Sequence, residues 1–489
     1  MTQSLSLSTL ARLPSSIRPH YDPAALRAGI VHIGTGAFHR AHQAVYTEEA
    51  LAAEYGDWGI IGASLRQPGV SEMLRAQDGL YGVLTKSAAG SSVRVVGCVR
   101  DVIHAPSDPQ RLPALIASPQ IRLVSLTVTE KGYGLDPATH SLDFSRPNIA
   151  QDLRAPHLPA STIGTLFAGL HGRRLAHGRP LTVLCCDNLQ HNGKLLKRLV
   201  LAYAEQVDAA TARWIQAHVA FPDTMVDRIV PATTPATLDE VEERLGLRDD
   251  AAVWGEPFMQ WVIEDAFAAE RPRWEAGGAQ LVADVKPYED MKLRLLNSSN
   301  SLLAYLGYLG GCDYVYQAIA LPRFARLVRR FMQEEAAPTL SMPPDQDLAA
   351  YQERLIERFG NTALPHRCHQ IAMDGSQKLP PRFLAIVRDN LAAGRPVRLS
   401  ALAVAAWMRY VGGTDENGQA IQVQDPLARQ LQAAAQGNAS DIVDRLLSMR
   451  SIFGEDLPRS ERLRSELVAA LERLQQAGSR ATVLEYAAA

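Results

Sequence analysis

Cysteine is scarce in this chain, and so is any excess of charge. Five cysteines (Cys98, Cys185, Cys186, Cys312 and Cys368) in 489 residues are odd in number and lack zinc-site spacing, so neither a disulfide scaffold nor a structural metal is expected. Cys185 and Cys186 close an apolar run and are expected to be buried free thiols. A formal net charge of −2 argues against a nucleic acid or a membrane surface held by bulk electrostatics. No apolar run approaches the roughly 20 residues that a bilayer needs, and no basic-then-apolar start resembles a signal peptide. Internal repeats, low-complexity tracts and long linkers are missing as well. The expectation is a cytoplasmic protein whose partner is a small molecule, a monomer in the first instance with an oligomer left open. What is present is ordinary: 47% hydrophobic and 21% charged residues, with length enough for two or three domains with full cores.

The chain has one glycine-rich start. After an unpatterned arm to about residue 28, Gly29-Ile-Val-His-Ile33 reads as a short buried strand. It runs directly into Gly34-Thr-Gly36-Ala-Phe38-His-Arg40-Ala-His42. Strand, Gly-x-Gly, then helix is how a dinucleotide fold begins: Gly34 makes the tight turn, and Gly36 lets backbone N–H groups approach a pyrophosphate. His39 stands where the usual third glycine would be. A second strand, 58–65, ends in Arg66-Gln67-Pro68, with no Asp or Glu before Glu72. An acid there would meet the ribose hydroxyls of NAD, and Arg66 could meet the 2′-phosphate of NADP, so the two cofactors stay open. Further strand patterns lie at 93–99, 123–129 and 181–186, with a helix at 163–175. The last strand delivers Asp187-Asn188 to its C-terminal end. Strands alternating with helices predict an α/β, doubly wound (Rossmann-type), mainly parallel sheet over residues 1–287. Residues 288–489 should be mostly α-helical, with segments near 321–335, 347–359, 399–412 and 457–477.

The densest chemistry is at the start of that second part. Lys292-Leu-Arg-Leu-Leu-Asn297-Ser-Ser-Asn300 opens an apolar segment that Gly310-Gly311 would end. With α-helical spacing, Asn297 and Asn300 lie one turn apart and Lys292 projects about 80° from Asn300. A desolvated amine loses proton affinity and becomes a base near neutral pH, and two amides beside it can stabilise an oxygen gaining negative charge. An exposed lysine with two surface amides fits the spacing equally well. In Phe221–Pro231, Asp227-Arg228 reads first as an ordinary ion pair. Residues 254–265 pack aromatics and acids too densely for a solvent loop.

Together these motifs resemble one family over essentially the whole chain, the long-chain mannitol dehydrogenase family of polyol and sugar-acid oxidoreductases. The matching pieces are the Gly-x-Gly-x-Phe-x-Arg-Ala-His start, Ser-Leu-Thr-Val-Thr-Glu at 125–130 and Cys-Asp-Asn-Leu at 186–189. Met-Val-Asp-Arg-Ile at 225–229 and Glu-Pro-Phe-x-Gln-Trp-Val-Ile-Glu-Asp at 256–265 also match. The resemblance implies metal-independent hydride transfer with NAD, NADP not being excluded. It makes Lys292 the general base, Asn297 and position 300 the groups that polarise the carbonyl oxygen, and Glu289 a proton relay. It puts Asn188, Asp227 and Lys378 at the substrate, and Ile33, Gly34, Gly36, Phe38, Arg66, Thr129 and Asn188 at the dinucleotide. Segments 337–343 and 370–380 look like the fructuronate reductase branch, which interconverts D-fructuronate and D-mannonate; mannitol-type members typically carry Arg where this chain has Gln370. A carboxylated substrate needs a cation, and Arg367 and Lys378 are the nearest by sequence. One departure is plain: the family pattern Lys-x4-Asn-x2-His ends here in Asn300, and losing one such donor costs on the order of 3 kcal/mol in oxyanion sites. A mannitol- or arabinitol-type polyol dehydrogenase and a catalytically silent nucleotide-binding protein are the competing readings.

Overall fold

The computed structural model describes residues 2–136, 139–341, 343 and 346–488; Met342 of the 337–343 motif lies outside them. The chain divides into two compact units, Met1–Lys286 and Pro287–Ala489.

The first unit is built on six strands: β1 (Ala28–Ile33), β2 (Gly59–Ser64), β3 (Val99–His104), β4 (Leu123–Leu126), β5 (Leu181–Cys185) and β6 (Val219–Ala220). Their order across the sheet is β3-β2-β1-β4-β5-β6, and every neighbouring pair is parallel. A parallel sheet is covered on both faces, so its strands must be apolar nearly throughout, and β4 and β5 are buried at every position. One face carries α1 (Ala37–Ala41) and α2 (Gln43–Ala53), whose Ala44 and Tyr46 share a core with Ile30, Leu123 and Leu184. On the other, α3 (Thr162–Ala176) starts at Ser161, whose Oγ accepts the Gly164 N–H at 2.9 Å. Its Ile163, Phe167 and Leu170 cluster with Val124 and Val183, each such side chain contributing ~1.5–3 kcal/mol on burial. Strand order reverses between β1 and β4, and the crevice at their C-terminal ends is where such sheets bind ligands.

Two strand expectations needed correction. The 93–99 run is split: Gly90–Val96 belongs to a small side sheet, and β3 begins at Val99. Between them the N–H groups of Gly97 and Cys98 both turn onto Glu48 Oε2, at 2.9 and 3.1 Å. β4 ends at Leu126: the Thr127 N–H still donates to Ile33 O at 2.9 Å, but Val128 and Thr129 turn to a partner described below. All five cysteines are buried free thiols.

The second unit is helical. At its centre α4 (Ser298–Leu309) is buried nearly all round, with Leu302, Leu303, Tyr305, Leu306 and Leu309 almost inaccessible. It packs on α5 (Arg398–Val411), which packs on α6 (Glu461–Tyr486). α6 is two helices joined at Gly478, where φ is +77°, so the first ends where the expected 457–477 segment ends and a short second one follows to Tyr486. Among the described residues no helix is long and apolar enough to cross a membrane.

Candidate functional site

In the first unit the glycine turn has a different requirement at each glycine. Gly34 has φ +95°, and a Cβ there would lie 2.2 Å from Thr127 O; only glycine fits both constraints. Its N–H donates to Ala63 O at 2.8 Å, tying the turn to β2. At Gly36 a Cβ would meet nothing nearer than Gly34 O, at 3.8 Å. The chain itself does not need the space beside Gly36. That space opens onto a cleft of about 370 Å³ whose walls include Gly34, Gly36, Arg66, Thr129 and Lys131, and no Asp or Glu. Two cations and no carboxylate, at the C-terminal ends of β1, β2 and β4, suit a phosphate-bearing ligand. Of the residues expected at a dinucleotide, Gly34, Gly36, Arg66 and Thr129 line this cleft, while Ile33, Phe38 and Asn188 do not wall it. Ile33 is buried at the end of β1, and Phe38 stacks on His42 with ring centroids 4.9 Å apart.

Beneath the turn lies a side chain that the sequence reading passed over. His32 on β1 contacts Ser125 Oγ through Nδ1 (2.8 Å), and Thr127 Oγ1 (2.9 Å) and Gly34 O (3.2 Å) through Nε2. Thr127 Oγ1 also donates to Gly34 O at 2.8 Å. His39, in the position of the missing glycine, stacks on His32 with centroids 3.4 Å apart. Both of its ring nitrogens are buried without a hydrogen-bond partner. Burial pushes both imidazoles down, His32 to about 3, with a backbone contact to Gly34 opposing.

The far rim of the cleft is held from β5. Asp187 Oδ2 accepts the Val128 N–H at 2.9 Å and the Tyr133 hydroxyl at 2.5 Å, and Oδ1 accepts the Thr129 N–H at 3.0 Å. Thr129 has φ +67°, a conformation that a β-branched residue adopts only under constraint. Burial pushes the Asp187 carboxyl up, against the pull of these donors. Sequence reading had selected its neighbour Asn188; the available signal was an acid ending a buried strand.

Asp227 ends the buried strand Thr224–Asp227, which pairs antiparallel with Gln260–Glu264. Arg228 is a brace: Nε donates to Glu256 O at 3.0 Å, Nη2 to Thr85 Oγ1 at 3.3 Å, and Nη1 to Ala41 O at the end of α1. Burial lowers its pKa to about 10.

In the second unit the expected helix is not uniform. Lys286–Met291 is α-helical, Lys292–Asn297 is a π-helix, and α4 follows from Ser298. The N–H of Ser298 reaches back five residues to Leu293 O. The α-helical angles expected between Lys292 and the two amides therefore do not hold. Regular spacing would set positions 292 and 297 about 140° apart, whereas an i→i+5 turn closes one ring across them. The wider turn is braced: Ser298 Oγ donates to Leu293 O and to Arg382 O, both at 3.0 Å. Arg382 in turn donates to Asn297 O (3.2 Å) and Ser301 Oγ (2.6 Å). Lys292, Asn297 and Asn300 are each half-buried. The Asn300 Oδ1 atom is fully enclosed with no hydrogen-bond partner. Glu289 is half-buried on the preceding helix. Lys378 Nζ donates to Ile371 O at 3.2 Å. Arg367 and Gln370 are exposed, the Arg367 guanidinium lying over the Tyr314 ring at 5.4 Å. The first unit thus carries a phosphate-suited cleft, and the second a distorted helix that bears an amine and two amides.

Known proteins give the same division. Residues 28–276 match the mannitol dehydrogenase Rossmann domain, and residues 284–475 match the mannitol dehydrogenase C-terminal domain. An uncharacterized oxidoreductase of Escherichia coli is 47% identical over 471 residues, 95% of this chain and 96% of that protein. The D-mannonate oxidoreductase of Escherichia coli is 46% identical over 472 residues, 95% of this chain and 97% of that protein. The solved Pseudomonas fluorescens mannitol 2-dehydrogenase, in ternary complex with NAD and D-mannitol, superposes with a TM-score of 0.86 at 37% identity, over 99% of each chain.

Proposed function

The chain belongs to the mannitol dehydrogenase family, an oxidoreductase of CH–OH groups, and from that premise we propose that it interconverts D-mannonate and D-fructuronate with NAD(H). Oxidation of the alcohol releases a hydride from carbon and a proton from oxygen. A bound nicotinamide supplies the hydride acceptor. The Lys292 amine takes the hydroxyl proton, and Glu289 passes it toward water. Asn297 and Asn300 stabilise the oxygen as it becomes a carbonyl, or the developing alkoxide in the reverse direction. Asn188, Asp227 and Lys378 serve the substrate, with Lys378 and Arg367 the candidate partners of its carboxylate.

The observation that carries this reading is the π-turn at 292–297 with the enclosed, unpartnered Asn300 oxygen one helical turn beyond it. π-turns inside helices concentrate at functional sites, and a buried amide oxygen without a partner is costly unless a ligand donor such as a substrate hydroxyl completes it; the stabilising group for the developing charge is the NH2 of the same amide. The likeness to the D-mannonate oxidoreductase supports the sugar acid as substrate. The likeness to an NAD complex supports the cofactor, while Arg66 in a cleft walled by no carboxylate supports acceptance of NADP(H) as well.

The deciding experiment follows nicotinamide absorbance with D-fructuronate and with D-fructose, each with NADH and with NADPH. D-Fructuronate turning over at least tenfold faster than D-fructose is expected. Preference for D-fructose would move the chain to the mannitol-type reading. No turnover with either, in protein that binds NADH, would make it a silent nucleotide binder.

A further inference from the structure

The geometry points to Asp187 as the positioning residue for the nicotinamide half of the cofactor cleft, acting through the backbone of Val128 and Thr129. In a sheet of order 3-2-1-4-5-6 the two halves each take one mononucleotide, and the adenosine side belongs to the half whose second strand ends at the ribose. Here that end is Ser64–Arg66, after β2. The loop after β4, residues 127–129, therefore borders the other nucleotide. This loop does not hold its own shape: Thr129 sits at φ +67°, a conformation that a β-branched residue keeps only where its surroundings impose it. They do so through one carboxylate. Asp187, at the end of the adjacent strand, takes both successive N–H groups, and Tyr133 supplies a third donor from the short helix Glu130–Tyr133. Asn192 fixes the Asp187 backbone from the other side, donating to Asp187 O at 3.1 Å and Thr224 O at 2.9 Å. The clamp leaves Val128 and Thr129 as wall residues of the cleft, with their N–H groups turned away from it.

A purely structural role for Asp187 makes a different prediction from a positioning role. If the carboxylate only stabilised the fold, its loss would weaken every ligand of the cleft together. If it sets the 128–129 rim, the loss falls on the nicotinamide side and spares the adenosine side. This inference rests on the dinucleotide reading above. Wild-type protein that fails to bind NADH would defeat that reading, whereas a wild type that binds allows Asp187 to be judged separately.

Fluorescence titration with NADH and calorimetric titration with AMP, on Asp187→Asn and wild type, make the test. The asparagine keeps the shape but turns one acceptor into a donor facing a backbone N–H. NADH should bind about tenfold more weakly, equivalent to ~1.4 kcal/mol, and AMP affinity should change less than about twofold. Thr129→Gly, which takes a positive φ without strain, should roughly halve the effect of Asp187→Asn when the two are combined, measured as a double-mutant cycle. Tyr133→Phe removes one donor, keeps the carboxylate, and covers the case in which Asp187→Asn does not fold; it should weaken NADH two- to threefold with AMP unchanged. Equal losses for NADH and AMP, or unchanged NADH affinity in both variants, would overturn the assignment.

Discussion

The turn at 34–36 and the helix at 292–297 depart from regular backbone packing by opposite means. In the first, atoms are left out: Gly36 has no side chain, and nothing in the protein occupies the space a Cβ would take. In the second, the backbone is widened to an i→i+5 turn. The glycine turn is held by backbone contacts and a buried imidazole, so its shape is independent of any exposed side chain. The π-turn has lost regular backbone hydrogen bonding and leans on Ser298 and Arg382. Binding surface can be created by subtraction where the ligand meets the backbone. A helix that departs from regular spacing needs side-chain support, here from Ser298 and Arg382.

The sharpest way to separate the two regions is to remove the lysine. Lys292→Ala should lower kcat by about 10²–10⁴, the usual worth of general base catalysis, while the NADH Kd stays within about twofold. More than a tenth of wild-type turnover remaining would end its role as base. Next in size is the reciprocal change. Gly36→Val should raise the NADH Kd by about a hundredfold with the thermal midpoint nearly unchanged, because the side chain enters space needed by the pyrophosphate and not by the fold. A large drop in thermal midpoint would show that the chain needs that space after all. Gly34→Ala provides the contrast, and should unfold the turn through its contact with Thr127 O.

Asn300→His tests whether the distorted helix is tuned for the amide. An imidazole reaches further than an amide, so it should shorten the bond to the developing charge and raise kcat with D-fructuronate by about one to two orders of magnitude, KM changing little. A fall in kcat in folded protein would show that the pocket is built around Asn300, with its enclosed oxygen accepting a hydroxyl of another substrate. The smallest effect is expected at the brace: Ser298→Ala should cost ~1 kcal/mol in denaturant stability and a few-fold in kcat. No change in kcat would mean that the π-turn holds without its side-chain support.

Much of the first unit was legible because its signals are local. β1, Gly34 and Gly36 follow one another in the sequence, and buried parallel strands such as β4 and β5 are unmistakably apolar. The end of β4 was not legible, since residues 127–129 continue the β-branched pattern, and Val128 and Thr129 leave the sheet because Asp187, some sixty positions away, takes their N–H groups. For the same reason Asp187 was overlooked in favour of Asn188: an acid's task is set by what it accepts from. The π-turn was invisible because Lys-Leu-Arg-Leu-Leu-Asn is equally good α-helical sequence, and what braces the wider turn is Ser298 together with Arg382, far along the chain. Arg228 could be read as half of an ion pair, and its three contacts from Glu256, Thr85 and Ala41 appear only when the chain is folded.

The stacked imidazoles under the glycine turn link cofactor binding to acidity. His32 is held neutral with its pKa lowered from 6.5 to about 3, and burial and then the neighbouring His32 push His39 well below its ordinary value too. A folded-state value below the unfolded one means that the unfolded chain binds more protons as the medium turns acidic. The stabilisation is complete above about pH 6.5 and drains away as pH falls toward about 3. Unfolding near pH 5 should accordingly take up protons, and His32→Gln should flatten the acid limb of the thermal midpoint plotted against pH. Loss of NADH binding on acidification should therefore precede loss of the helical signal.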